Sequence, residues 1–429
     1  MPSRQPRPSA RPPADPPGVP ARRAALRLLD ATLRRGLPLE GAMDVAAAGL
    51  PPNDRGLAHA LAAAVLRRLP DLDALIDAQT QQRLPDDAKA RFALRLALAQ
   101  PMLLGTPPHA AIATVLPLVD GGPRRLVHGV FSAVMRANPA LPEAATLPEA
   151  VEMRWHAAWG DDVIGAAGLL LAGPPPLDLS FADADAAAAS PLGESLLPRH
   201  RRLVAERPVP ELPGFAEGQW WVQDLAASLP ARLIGDGNGT ALDLCAAPGG
   251  KTLQLAAAGW QVTAVDASAS RLERLSESLA RTGLKADIAV ADLLDWAPPA
   301  PADAVLLDAT CTATGIFRRH PEVLHRVRPR AIAEAAELQA RLLARAAEWV
   351  RPGGVLVYAT CSLEPEEGER QIERFLDKRS DYALVPVGES ELPADIASAG
   401  TGWVRTLPGM LAEHGGLDGF FIARLRRAG

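Results

Sequence analysis

Cysteine is scarce in this sequence, with only Cys245, Cys311 and Cys361 among 429 residues. So few, and an odd number, exclude a disulfide framework and point to a reducing compartment, so a cytoplasmic location is expected. Aromatic residues make up only 4% while Ala, Leu and Arg abound, a bias of coding style more than of function. Long apolar runs are missing as well. None approaches the roughly 18 residues that a membrane-spanning helix needs. Nor is there an excess of positive charge: 45 Lys and Arg stand against 50 Asp and Glu, for a net charge of −5. A polyanion-binding protein usually carries a basic footprint, so the total counts mildly against nucleic acid but leaves room for a local patch. The stretch Met1 to Pro20 has eight prolines and three arginines and no apolar core of a secretory signal. It reads as a disordered tail, with nucleic-acid contacts from Arg4, Arg7 and Arg11 as the weaker alternative. What remains is ordinary for globular protein, at 48% hydrophobic and 22% charged. The length suits two or three domains of about 150 residues each.

From Ala21 to about Ala145 the apolar spacing is helical. In Arg22–Arg35, Ala25, Leu28, Leu29 and Leu33 share one face, and Arg23, Arg27, Asp30 and Arg34 the other. Further amphipathic stretches fall at Asp54–Leu69, Leu72–Gln81, Asp87–Leu104, Ala110–Val119 and Arg124–Ala137, separated by Pro51-Pro52 and Pro107-Pro108. An all-helical domain is therefore expected over 21–145. Residues 146–213 contain the low-complexity stretch Ala182–Ser190 and proline-dense segments, and read as a connecting subdomain with a flexible insertion and no chemistry. From 214 to 429 strands and helices alternate. Strands are expected at Ala241–Leu244, Gln261–Val265, Ala286–Val290, Ala304–Leu307 and Gly354–Ala359. Alternation with helices of 10–15 residues implies a doubly wound, mostly parallel sheet, whose ligands bind beyond the carboxyl ends of the strands. Every motif below stands at such an end.

The first motif, Leu242-Asp243-Leu244-Cys245-Ala246-Ala247-Pro248-Gly249-Gly250-Lys251-Thr252, is a strand, a tight turn and a helix start. Its glycines let a ligand approach the backbone, and the helix N-terminus offers N–H groups to an anion. A phosphate-binding loop would need glycine where Cys245 stands, although Gly250-Lys251-Thr252 fits. The dinucleotide pattern is absent. The carboxylate and ribose of S-adenosylmethionine are the third candidate, and the best fit. Asp266, closing the next strand, stands where an acid takes a ribose diol, about 20 residues beyond such a turn; alternatively Asp266-Ala267-Ser268 caps the following helix. The second motif is Asp308-Ala309-Thr310-Cys311-Thr312-Ala313-Thr314-Gly315, followed by Arg318-Arg319-His320-Pro321. The third is Tyr358-Ala359-Thr360-Cys361-Ser362. Zinc wants four ligands at recognisable spacing, and no C-x-x-C or nearby His pair exists, so no metal is expected. Two buried structural thiols are the plain alternative to thiol chemistry.

Cys245–Lys251, Asp308–Gly315 with its trailing Arg-Arg-His-Pro, and Thr360-Cys361-Ser362 resemble the motifs of RNA cytosine-5 methyltransferases. The helical region, through Arg55, the Leu94–Leu104 helix, Pro108-His109-Ala110 and Val130–Arg136, resembles the NusB-like RNA-binding domain of the bacterial 16S rRNA methyltransferase B (Sun/Fmu) branch. Asp418-Gly419-Phe420-Phe421 resembles that branch's final strand. The resemblance covers most of the chain from about residue 21 and is weakest at 172–213. It implies a NusB-like all-α domain joined to a Rossmann-like methyltransferase domain with a mostly parallel seven-stranded sheet. Thr310 and Thr312 depart from the family's Pro and Ser. Losing proline frees φ there and would loosen the loop that holds Cys311.

The resemblance implies a single chain that uses S-adenosylmethionine to form 5-methylcytosine in 16S rRNA, at cytosine 967 in conventional rRNA numbering. Carbon 5 of cytosine is a poor nucleophile, and a thiolate added at carbon 6 puts electron density on it. By the same resemblance Cys361 attacks and Cys311 helps remove the carbon-5 proton. Asp308 holds the cytosine edge, with Lys251 beside it. The cofactor pocket takes Cys245, Ala246, Ala247, Pro248, Gly249, Gly250, Lys251, Asp266, Asp292 and Asp308, with Arg271 as a weaker contact. Arg318, Arg319, His320, Arg326 and Arg328, with His325 and Arg330, face one Glu322 over thirteen residues. That segment reads as an RNA clamp, or else as a solvated charged face. Arg22, Arg23 and Arg27 would extend the surface. The competing readings are a tRNA or 23S rRNA substrate, a catalytically impaired RNA-binding regulator, and a nucleotide-dependent switch.

Overall fold

The computed structural model describes residues 16–204, 207–396 and 402–429. Arg4, Arg7, Arg11 and most of the expected tail lie outside the described residues. The described residues divide into two compact units, one ending at Pro142 and the other starting at Glu143.

The first unit is all helical: Val19–Leu33, Leu39–Ala46, Pro52–Arg67, Leu69–Asp77, Lys89–Leu103, Pro108–Val115 and Gly121–Ala137. The short helix Leu39–Ala46 was not foreseen, because two turns are too few for an apolar period to stand out. Lys89–Leu103 is buried on nearly every side, with Leu94, Leu96 and Leu98 fully covered, each contributing about 1.5–3 kcal/mol through burial. Two arginines go inward with it. Arg95 grips Asp73 with two bonds of 2.7 Å, and Arg91 pairs with Asp73 and Asp77. Arg22 likewise turns inward, donating to Gln100 Oε1 at 2.9 and 2.8 Å. It is therefore not part of an RNA-facing surface, whereas Arg27 is exposed.

The second unit opens with helices Glu149–Trp159 and Asp161–Leu171 and a three-stranded antiparallel sheet. Its strands are β1 (Leu177–Phe181), β2 (His200–Leu203) and β3 (Trp220–Val222), in the order β2-β1-β3. The segment expected to be a connecting subdomain with a flexible insertion carries its own sheet, and β3 lies beyond its expected end at 213. Within the low-complexity stretch, Ala184–Ala189 forms a helix, with Asp183 accepting a bond from the Ala186 N–H.

The large sheet comprises β4 (Thr240–Leu244), β5 (Gln261–Asp266), β6 (Asp287–Val290), β7 (Ala302–Asp308), β8 (Val350–Thr360), β9 (Tyr382–Leu384), β10 (Trp403–Thr406) and β11 (Phe420–Arg427). Seven strands lie in the order β10-β11-β8-β7-β4-β5-β6, and the short β9 pairs with β11 as an eighth. Strands β4 to β8 are parallel, and β11 runs antiparallel to β8, β9 and β10. The central strands β7 and β8 are buried on both faces over residues 304–307 and 356–360, which is why those stretches read as short apolar runs. From β4 the chain builds outward through β5 and β6, then returns to lay β7 on the other side. Ligands bind beyond the strand ends at such a switch point. Cys245, Asp308 and Cys361 all stand there. No helix among the described residues is long and apolar enough to cross a membrane.

Candidate active site

The turn after β4 is built for close approach. Cys245 and Gly249 both take left-handed φ, at 61° and 111°. A Cβ on Gly249 would stand 2.4 Å from Leu275 Cδ1, so only glycine fits. Helix Gly250–Ala257 starts at once, with no side-chain cap on its first N–H groups. Asp266, at the end of β5, accepts the Ala247 N–H at 3.1 Å and the Ser268 N–H at 2.9 Å. Ser268 itself caps the next helix, so Asp266 shapes the turn and is not the cap. The Arg271 guanidinium donates to the Ala247 carbonyl and lies 3.6 Å from Asp266. Asp292, just beyond β6, is exposed and accepts the Leu294 N–H. A glycine-lined turn, a helix start and acids after two successive strands fit an amino acid joined to a ribose and a base. Thr252 argues against the phosphate-loop alternative. Its hydroxyl is buried and donates to Asp243 at 2.6 Å, so it cannot reach a nucleotide's metal. Burial pushes the Asp243 carboxyl up to about 7, against the lowering pull of Thr252.

Beyond β7 and β8 the reactive groups converge. Lys251 Nζ donates to Asp308 Oδ2 at 2.8 Å and lies 5.4 Å from the centre of the Phe420 ring. Burial works against the Lys251 charge, but the Asp308 carboxylate outweighs it and holds the ammonium above its ordinary pKa. The sulfurs of Cys311 and Cys361 are 3.4 Å apart. That contact, with burial, pushes the Cys311 thiol well up. Cys245 stands apart: burial raises its thiol to about 11, and the Thr310 hydroxyl donates to its sulfur at 3.7 Å.

The loops behind the thiols are held by residues that the sequence reading missed. Buried Glu367 accepts bonds from the Thr312 N–H (2.9 Å), the Thr312 hydroxyl, the Ser362 hydroxyl (2.7 Å) and the Gln339 amide (2.8 Å). Gln339 also donates to the Thr310 carbonyl at 3.0 Å. The expected loosening at Thr310 and Thr312 is thus corrected, since both threonines are tied down. Trp155 and Trp159 donate to Glu364 and to the Leu363 carbonyl, so the connecting segment supports the Cys361 loop. Nothing in the spacing of Glu364-Pro365-Glu366-Glu367 signals in sequence that Glu364 and Glu367 turn inward.

The basic segment is not one face. Arg318 is fully buried, donating to Asp418 (3.0 Å), Asp224 (2.9 Å) and the Gly415 carbonyl (2.7 Å). It is a structural residue, not an RNA contact. Arg319 is mostly covered and donates to Asp224 at 3.0 Å and to the Pro176 carbonyl. His320, beside Glu322, and Arg326 are half-buried, and Arg328 is exposed. Adjacent residues here point in different directions because Thr314–Ile316 and Val323–Arg326 are short, separate turns. Among the described residues no His, Cys, Asp or Glu cluster could hold a metal ion.

Residues 232–426 match the family described as 16S rRNA methyltransferase RsmB/F, and residues 19–137 match the NusB family. A Xanthomonas campestris pv. campestris protein named ribosomal RNA small subunit methyltransferase B is 35% identical over 437 positions, covering 96% of this chain and 98% of its own. A protein of the same name from Xylella fastidiosa (strain Temecula1) is 36% identical over 435 positions, covering 95% and 98%. The crystal structure of a methyltransferase homolog protein from Pyrococcus horikoshii superposes with a TM-score of 0.54 and 26% identity, over 65% of this chain and 95% of that one.

Proposed function

Since this chain belongs to the ribosomal RNA small subunit methyltransferase B family, we propose that it methylates carbon 5 of a cytosine in 16S rRNA, with Cys361 as the attacking sulfur. The observation that carries this reading is the pair of sulfurs 3.4 Å apart beside the Lys251–Asp308 ion pair. The reaction has two tasks on adjacent ring carbons, bonding to carbon 6 and removing a proton from carbon 5. Two neighbouring thiols suit them. Cys361, as thiolate, bonds to carbon 6 and drives electron density to carbon 5, which takes the methyl group. With Cys361 bound to carbon 6 and no longer an anion beside it, Cys311 gives its own proton to water and as thiolate accepts the carbon-5 proton; the carbon–sulfur bond breaks and its electron pair returns to Cys361. Lys251 occupies Asp308 Oδ2, which leaves Oδ1 to accept from the cytosine edge, from the exocyclic amine or from ring nitrogen 3 when that nitrogen is protonated.

S-adenosylmethionine, when bound, supplies the methyl group as an electrophile. Residues Cys245–Lys251 would hold its amino-acid end, Asp266 its ribose and Asp292 its adenine, with Arg271 as a lesser contact. Of the segment after Cys311, Arg328 and Arg326 are the better candidates for RNA phosphates, with His320 and the part-covered Arg319 behind them. The target base must leave its stack, which costs a few kcal/mol and less in a loop; cytosine 967 is the position the family resemblance names.

The test incubates the protein with labelled S-adenosylmethionine and protein-free small-subunit rRNA, followed by nucleoside mass analysis and mapping. Cys361→Ala is expected to abolish 5-methylcytosine, a loss on the order of 10⁴-fold or more. Cys311→Ala is expected to accumulate a denaturation-resistant protein–RNA adduct. Wild-type turnover by Cys361→Ala would overturn the reading. With tRNA and 23S rRNA offered in parallel reactions, product in one of those alone would move the substrate elsewhere.

A further inference from the structure

We propose that Glu367 is a positioning residue for both thiols, its one buried carboxylate tying the loop of Cys311 to the loop of Cys361. The proposal rests on the two-thiol reading above and deepens it. An acid at the turn before helix Glu369–Lys378 would ordinarily face water, yet Glu367 is fully buried. Its two oxygens take four donors. Oε2 receives the Thr312 N–H and the Gln339 amide; Oε1 receives the hydroxyls of Thr312 and Ser362. Thr312 directly follows Cys311, and Ser362 directly follows Cys361. Gln339 holds the Thr310 carbonyl as well, so Cys311 is gripped on both sides. The Glu367 carbonyl is fixed in turn by the hydroxyls of Tyr358 (2.8 Å) and Thr360 (3.3 Å), on the strand that ends in Cys361.

Charge-assisted bonds of this kind are short and strong, and a buried network with a member missing is costly. The two sulfurs stand on separate loops, fifty residues apart in sequence. Other bonds also join those loops, such as those from the Gly315 N–H to the Cys361 carbonyl (3.0 Å) and from the Leu363 N–H to the Thr314 hydroxyl (3.0 Å). Among the described residues, though, this carboxylate is the one side chain that takes the residue after each cysteine at once. Misplacing a reacting group by about 1 Å can cost roughly 10²-fold in rate.

The experiment follows single-turnover methylation of rRNA and traps covalent adduct after denaturation. Glu367→Ala is expected to accumulate adduct and slow its release by about 10²-fold. Glu367→Gln keeps a carbonyl for one pair of donors and offers an amide to hydroxyls that can turn to accept. It is expected to restore release to within about 10-fold of wild type. Should Glu367→Ala fail to fold, the double variant Thr312→Val, Ser362→Ala strips the hydroxyl side of the clamp and is expected to trap adduct in its place. The proposal is overturned by wild-type release from a folded Glu367→Ala or from the double variant. It is overturned equally by activity that merely tracks the folded fraction without adduct, or by a Gln variant as slow as the Ala variant. Cys311→Ala run alongside separates the two ideas. If it traps adduct and Glu367→Ala does not, only the role of Glu367 has failed; if it traps none, the two-thiol reading itself has failed.

Discussion

Two charged clusters of the catalytic unit look alike on paper and differ in what they can do. In one, Arg318 and Arg319 meet Asp224 and Asp418, and Arg202 grips Asp178 at 2.6 and 2.8 Å. Burial works to raise the Asp178 carboxyl, but Arg202 and His200 outweigh it and hold it far below the usual carboxylate range. Nearly every arm there is sealed and spent on a partner. In the other, Lys251 meets Asp308, but Asp308 remains 28% exposed and stands at the carboxyl end of β7. A closed cluster holds elements together. A paired cluster left partly open has bonding capacity to offer a substrate.

That contrast breaks in measurable ways. Arg318→Met leaves buried Asp224 and Asp418 with the Arg319 guanidinium alone, and is expected to cost about 3–5 kcal/mol of stability. Chemical denaturation reads this directly, while turnover per folded molecule stays near wild type. Lys251→Met should do the reverse. Methyl transfer is expected to fall by about 10²–10³-fold, in line with loss of a preorganised charge, with the smaller change in the unfolding midpoint. If both variants lost stability and turnover in the same proportion, the distinction between the clusters would be wrong.

Asp243 sharpens the comparison, since it is buried beneath the site with its carboxyl raised from 3.8 to about 7. A carboxyl raised in the folded state binds its proton more tightly there than when unfolded. Its stabilising contribution is therefore complete below about pH 4 and is lost as pH rises toward 7. Asp243→Asn is expected to flatten stability over that window, as measured by denaturant midpoints at several pH values. The smallest effect belongs to Arg328. Exposed at the start of helix Pro329–Glu348, it is expected on replacement by Ala to reduce the salt dependence of RNA binding by about one phosphate contact, without altering the product.

Legibility followed the reach of each interaction along the chain. Strand ends, the glycine turn and the three cysteine motifs were readable because their constraints are local. A left-handed turn needs glycine at Gly249, and a sheet covered on both faces needs apolar residues through the middle of β7 and the end of β8. Strands β9 and β10 and the sheet β2-β1-β3 were not readable, because short strands defined by pairing to distant partners leave little period of their own. The basic run from Arg318 to Arg330 shows the same limit. Composition reported its charge correctly, but direction depended on Asp224 and Asp418, almost a hundred residues away on either side.

By itself, the sequence determined the helical and the alternating regions, the order of the motifs and the types of residue available for chemistry. These follow from backbone geometry and periodicity, which act over a few residues. Only the tertiary structure decided which of those residues are spent and which are offered. It turned Arg22, Arg91 and Arg318 inward, drew Glu367 beneath two loops and brought the sulfurs of Cys311 and Cys361 to 3.4 Å. The reason is physical: a buried charge must find its partner wherever the fold supplies one, and no local pattern records where that is.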